Sequence, residues 1–229
     1  MKAMVLSSGG VDSTTALGLA VSKYGKENVI TLSVSYGQKH DKEIEAAKAV
    51  AEYYGVEQLF MDLSKVFAYS NCSLLKQSDA AIPEKAYSEQ IKETAGETPV
   101  STYVPFRNGL FLSAAASIAL SKGCSVIYYG AHADDSAGFA YPDCSPAFNN
   151  AMNEAIWEGS GHQLKIEAPF VNINKAEVVK MGLELGVPYE LTWSCYEGGD
   201  KPCGKCGTCI DRAAAFRENG VEDPALKNI

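Results

Sequence analysis

Short apolar runs alternate with longer stretches in which apolar residues recur every three to four positions, and this alternation organises most of the chain. Met4, Val5 and Leu6 form a first run, of the kind a buried parallel strand gives. Gly9 and Gly10 let the backbone turn, and Asp12, Ser13 and Thr14 start a helix whose Ala16–Val21 stretch is largely apolar. Val29 to Val34 predicts a second strand, ending in Tyr36-Gly37-Gln38-Lys39-His40. A helix follows from about Asp41 to Tyr54, with Ile44, Ala47, Ala51 and Tyr54 on one face and Gly55 closing it. A third strand lies near Gln58–Asp62. Two successive strand–helix units call for a parallel sheet with helices on both faces.

The pattern weakens between Ser64 and Tyr103, where Asn71, Ser73, Ser78, Pro83, Gly96 and Pro99 punctuate a stretch with few large apolar residues. It reads as a long loop with short helices, lying over the site or at a subunit contact; the competing reading is a disordered surface excursion. Periodicity returns with a small-residue helix from Gly109 to Lys122, a strand at Ser125–Tyr129, a helix from Ser145 or Pro146 to about Trp157, and a strand at Leu164–Ala168. Asn174 caps a last clear helix, with Ala176, Val179 and Leu183 on one face, and Gly186 and Pro188 end it. The expected fold is α/β: a doubly wound, mostly parallel five-stranded sheet with its site at the strand C-terminal ends. The expected division is a main α/β domain over 1–188, with its insertion at about 64–103, and a small C-terminal subdomain over 189–229.

Composition narrows the chemistry. A formal net charge of −8 over 229 residues opposes a broad nucleic-acid-binding face. No apolar run is long enough to span a bilayer, and the N-terminus enters a strand without signal-peptide anatomy, so a cytoplasmic protein is expected. Seven cysteines in a reducing compartment then point to metal or catalysis, not to disulfides.

The turn after the first strand reads Ser8-Gly9-Gly10-Val11-Asp12-Ser13. Free backbone N–H groups and the helix dipole make such a corner a phosphate site. It lacks the lysine of a Walker loop and the spacing of a dinucleotide fingerprint. It resembles the pyrophosphate loop of enzymes that split ATP into AMP and pyrophosphate. Cys195, Cys203, Cys206 and Cys209 stand in the pattern Cys-x7-Cys-x2-Cys-x2-Cys. Four thiolates suit a closed, structural Zn²⁺ site; an iron–sulfur cluster and a redox Cys-x-x-Cys pair are the chemical competitors.

Together with Tyr36–His40, Pro105-Phe106-Arg107-Asn108, Gly130–Asp134, Tyr141-Pro142-Asp143-Cys144 and Asn174-Lys175-Ala176-Glu177, these stretches resemble the 7-cyano-7-deazaguanine synthases of the pyrophosphate-loop superfamily, whose fold is like that of the adenine-nucleotide α-hydrolases. The resemblance runs in order from near residue 1 to about 217 and implies an ATP-dependent carbon–nitrogen ligase of queuosine biosynthesis. In that reaction 7-carboxy-7-deazaguanine and ammonia give the nitrile through an adenylated carboxylate and an adenylated amide, with AMP and pyrophosphate released. ATP would lie along Ser7, Ser8, Gly9, Gly10, Val11, Asp12, Ser13, Thr14, Thr15, Ala16 and Leu17, with Asp12 holding Mg²⁺ or capping the helix. Asp12, Arg107, His132 and Lys175 are the candidate catalytic residues, Arg107 and Lys175 through phosphate or carboxylate contacts. Tyr36, Gln38, His40, Arg107, Tyr141 and Asp143 are the candidate substrate contacts. Asp143 would accept from the guanine-like edge or cap the next helix, Tyr141 or Phe139 would stack on the base, and His40 or His132 would help ammonia lose a proton. A homodimer without nucleic-acid or membrane partners completes the expectation. Two other functions stay open: a tRNA thiolase with the same loop, and a zinc-bearing nucleotide-binding regulator without turnover.

Overall fold

The structure, a computed structural model, describes residues 1–226. In chain order it comprises β1 (Ala3–Leu6), α1 (Val11–Tyr24), β2 (Val29–Ser35), α2 (Lys42–Tyr54), β3 (Glu57–Asp62), α3 (Ser64–Phe67), α4 (Tyr87–Glu93) and α5 (Arg107–Ser121). Then come β4 (Val126–Tyr128), α6 (Ala133–Ser136), α7 (Pro146–Gly159), β5 (Lys165–Glu167), α8 (Lys175–Glu184) and α9 (Gly207–Glu218). The five strands are all parallel, in the order β3-β2-β1-β4-β5. β1 sits at the centre, with Ala3 opposite both Val29 and Val126.

Successive side chains of a strand point to opposite faces, and β1 shows what that does. Met4 joins Ile30, Leu32 and Ile127 in a core closed by Leu112 and Ala115 of α5 and Ile156 of α7. Ala3 and Val5 join Val29, Val126 and Tyr128 in a second core, closed by Ala16 and Leu17 of α1 and Val178 of α8. Both faces are therefore covered, which is why β1 reads as a continuous apolar run.

Helix α2 buries Ala46, Ala47, Val50 and Ala51, a face rotated from the one its larger apolar residues predict. The reason is close approach: a Cβ on Gly9 would collide with Ala46 and with the backbone of Glu43 and Ala47, so the turn after β1 packs on the alanine side. The stretch 64–103 is folded onto the body. Leu74, Leu75 and Ile82 are buried with Tyr36, Phe67, Val104 and three of the four clustered cysteines. Residues on both sides of position 188 share a further core, in which Val11, Val179 and Val187 meet Tyr189, Ala215 and Phe216. Arg212 on α9 ties this region down, donating from Nε and Nη2 to the Asp223 carboxylate at 2.6 and 2.8 Å. Among the described residues no helix is long and apolar enough to cross a membrane.

Candidate active site

The loop after β1 is shaped by its own side chains. Gly9 takes φ +78°, which favours glycine, and Gly10 in extended backbone is the N-cap of α1. The Ser8 and Ser13 hydroxyls meet at 3.0 Å, Ser13 Oγ donates to the Gly10 carbonyl at 3.2 Å, and the Ser8 amide donates to Ser13 Oγ at 3.2 Å. No side chain caps α1, so the first-turn amides face an open cavity. Gly9→Ala is expected to cost about 1–3 kcal/mol, from the left-handed φ and the collision with α2. Chemical denaturation of the variant beside Gly10→Ala, which has more room, measures this.

Asp12 is the second residue of α1, not its cap. Its carboxylate binds the ammonium of Lys175, the first residue of α8, and lies 3.9 Å from His132 Nε2. Burial alone raises the Asp12 carboxyl; the charges of Lys175 and His132 outweigh it and hold the group below the usual carboxylate range. Its Oδ1 is buried without a hydrogen-bond partner, which fits a carboxylate waiting for a cation. His132 Nε2 also stands 3.3 Å from Asp135 Oδ1, and the Lys175 amide donates to Asp134 at 2.7 Å. One group of charges thus joins the C-terminal end of β4 and the N-termini of α1 and α8, as expected for an α/β site.

These groups form one end of a cavity of about 560 Å³. Ser7, Ser8, Gly10, Val11, Asp12 and Ser13 line it, whereas Thr14, Thr15, Ala16 and Leu17 turn into the protein. Thr15, for example, bonds the Tyr189 hydroxyl at 2.7 Å. The other end is aromatic. Arg107 opens α5 and stands over the Tyr36 ring, 5.0 Å from its centroid. Phe106 before it holds a left-handed φ of +54°, a strained turn that sets where Arg107 leaves the backbone. Gln38 lines the wall and accepts from the Tyr36 amide at 2.9 Å. The hydroxyls of Thr102, Tyr141, Tyr87 and Tyr196 follow one another at 2.6, 2.9 and 2.6 Å. Tyr87, Ser88 and Ile91 come from the 64–103 stretch, so part of it roofs the site.

Two expected contacts lie elsewhere. Asp143 is buried and accepts from the Asn108 amide at 2.8 Å, so it anchors the start of α5 and does not line the cavity. The cap of α7 is Ser145. His40 packs 6.4 Å from Trp193, under the loop that carries Cys195, away from the cavity lining. Among the cavity residues without a mark in the sequence are Glu43, Tyr196 and Asp211. Burial pushes the Glu43 carboxyl up to about 7, and the Arg107 charge offsets part of that rise.

Beside the aromatic end, the sulfurs of Cys195, Cys203, Cys206 and Cys209 lie within 4.8 Å of one another, and all four are free thiols. Sulfurs about 2.3 Å from a tetrahedral ion stand about 3.8 Å apart, so a small contraction closes the set. The amides of Lys205 and Cys206 point at Cys203 Sγ, at 3.4 and 3.3 Å, and that of Cys203 at Cys195 Sγ at 3.2 Å, as suits thiolate charge. The residues present fit a metal ion such as zinc. The segment leading to Cys195 touches the turn after β1 directly, since the Trp193 amide donates to the Gly9 carbonyl at 2.9 Å.

Comparison with known proteins agrees with this arrangement. The family model described as queuosine biosynthesis protein QueC matches residues 2–220. The 7-cyano-7-deazaguanine synthase of Archaeoglobus fulgidus is 42% identical over 229 residues, covering 100% of this chain and 91% of that protein. The synthase of Caldicellulosiruptor saccharolyticus is 45% identical over 224 residues, covering 98% and 94%. Among solved structures, the U34-tRNA thiolase NcsA from Methanococcus maripaludis, with its 4Fe–4S cluster, aligns with a TM-score of 0.53. That match has 17% identity over 96% of this chain and 67% of the other, and shows a shared fold alone. A glycine turn after β1 at the mouth of a cavity, four converging cysteines that could hold a metal ion and full-length similarity to synthases meet in one chain, which belongs to the queuosine biosynthesis protein QueC family.

Proposed function

We propose that this chain makes 7-cyano-7-deazaguanine from 7-carboxy-7-deazaguanine, ammonia and ATP. The observation that carries the reading is a single cavity with the Ser8–Ser13 loop, Asp12 and Lys175 at one end and the Arg107 guanidinium at the other. Among the described residues no carboxylate comes within 4.0 Å of that guanidinium, so Arg107 is free to take a substrate carboxylate.

In the first stage a carboxylate oxygen attacks the α-phosphorus of ATP and pyrophosphate leaves. Ammonia then adds to the acyl carbon and AMP departs with that oxygen, leaving an amide. In the second stage the amide oxygen attacks the α-phosphorus of a second ATP and a second pyrophosphate leaves. Loss of the nitrogen's protons and cleavage of the C–O bond expel AMP and leave the nitrile. The loop amides and Lys175 stabilise charge on the departing pyrophosphate. Mg²⁺, when bound, would neutralise further phosphate charge, and the unpartnered Oδ1 of Asp12 would hold it. His132, whose Nε2 lies near Asp12 and Asp135, would take a proton from the incoming nitrogen. Zn²⁺ at the four cysteines has a structural part only. A cytoplasmic homodimer belongs to the same proposal.

Incubation with ATP, Mg²⁺, ammonium and 7-carboxy-7-deazaguanine, read by mass spectrometry, is expected to show the nitrile together with AMP. Folded, ATP-bound protein that yields neither product overturns the reading.

A further inference from the structure

We propose that Glu43 is the residue that reads the guanine-like edge of the substrate, its carboxylate accepting from the ring N–H and the exocyclic amino group. This rests on the substrate class proposed above.

Such an edge offers two adjacent N–H donors and needs a partner that only accepts. The Asp143 carboxylate is already engaged by Asn108 behind the cavity wall. Asp12, Asp134 and Asp135 bond Lys175 or the His132 backbone. Asp211 lines the cavity among the charges of Lys175, Asp134 and His132, at the phosphate end. Glu43 remains. It projects from the first turn of α2 into the cavity, beside Tyr36 and within reach of the Arg107 charge. Among the described residues it accepts no hydrogen bond and forms no ion pair. Its raised carboxyl is what a buried acceptor shows when its donors arrive with the ligand.

The arrangement also selects. Arg107 and Glu43 offer opposite charges that do not touch each other, next to flat aromatic walls at Tyr36 and Phe111. A planar ring with a carboxylate on one side and two donors on another satisfies both. An adenine edge sets an unprotonated ring nitrogen beside its amino group and would point a lone pair at the carboxylate.

The test is equilibrium binding and steady-state kinetics of Glu43→Gln and Glu43→Asp with two acids: 7-carboxy-7-deazaguanine, and the analogue lacking the exocyclic amino group. Glu43→Gln replaces an acceptor by a donor, and charge-assisted hydrogen bonds are involved. The Kd for the guanine-type acid is expected to rise by about 10–100-fold, with the KM for ATP unchanged. For the analogue, the same variant is expected to change Kd by less than about 3-fold. Glu43→Asp, which keeps the carboxylate, should retain part of the preference for the guanine-type acid. An equal loss for both acids, or a loss falling on ATP, overturns the assignment. Tight binding by the parent protein with unchanged Glu43→Gln affinity overturns it while leaving the proposed function standing. If the ATP-bound parent protein binds neither acid, the proposed function falls and this assignment with it.

Discussion

Chelation of the metal is expected to unfold the segment around Cys195–Cys209 and to abolish ATP turnover, with the melting temperature falling by about 10 °C or more. The argument starts from charge. Four sulfurs within 4.8 Å are tolerable as thiolates only around a cation, and without it they must protonate or separate. Binding to a structural site of this kind is worth about 10–16 kcal/mol at neutral pH, which rivals the whole stability of an ordinary domain. The loss spreads because the cluster supports its neighbours. Cys195 and Cys206 are buried with Tyr36, Leu75 and Val104, and Trp193 holds the Gly9 carbonyl. Tyr196 bonds Tyr87 in the roof. Calorimetry with metal release followed by an indicator dye checks this, and Cys206→Ser should match the chelated protein. Cys124→Ser, at a buried thiol outside the cluster, is the control. An unchanged melting temperature after full metal release would refute the structural role.

Lys175→Ala is expected to slow pyrophosphate release by about 10²–10³-fold, the loss seen when one donor to a developing oxyanion is removed. The variant does two things: it deletes a cation at the cavity end proposed to take the phosphates, and it leaves the Asp12 carboxylate without its lysine. The second effect makes a signed prediction. Asp12→Asn in the Lys175→Ala background loses the carboxylate proposed to hold Mg²⁺ but also removes the stranded negative charge, so the double variant should be slowed by less than the product of the two single losses. Rates that multiply as if the residues were independent would show that the pair does not act as a unit.

The sheet was legible in the sequence because a strand covered on both faces is a bare apolar run; Met4–Leu6 and Val29–Val34 carry their own signal. The cysteine cluster was legible because a metal site needs fixed ligand spacing, and the turn after β1 because glycine and helix-starting residues mark it. The roof was not. Tyr87 and Ile91 sit in a two-turn helix too short to show a period, among charges that look like solvated surface. Asp143 shows a different limit. Its pattern gives the residue type but not the side of the wall it occupies, and the Asn108 amide settles that. Glu43 is one of two acidic residues in the first turn of α2, next to exposed Glu45, and only the rotation of α2 against Gly9 separates them.

The central place of β1 sets a schedule for biosynthesis. Its partner β2 follows almost at once, but its other partner, β4, begins only at Val126. At about 5–20 residues per second, the ribosome leaves one edge of that apolar strand open for an interval on the order of ten seconds. Later still come Thr208 and Asp211 of α9, which complete the cavity wall. A nascent chain that already carries the whole Ser8–Ser13 turn therefore exposes an open, apolar sheet edge well before its cavity is complete.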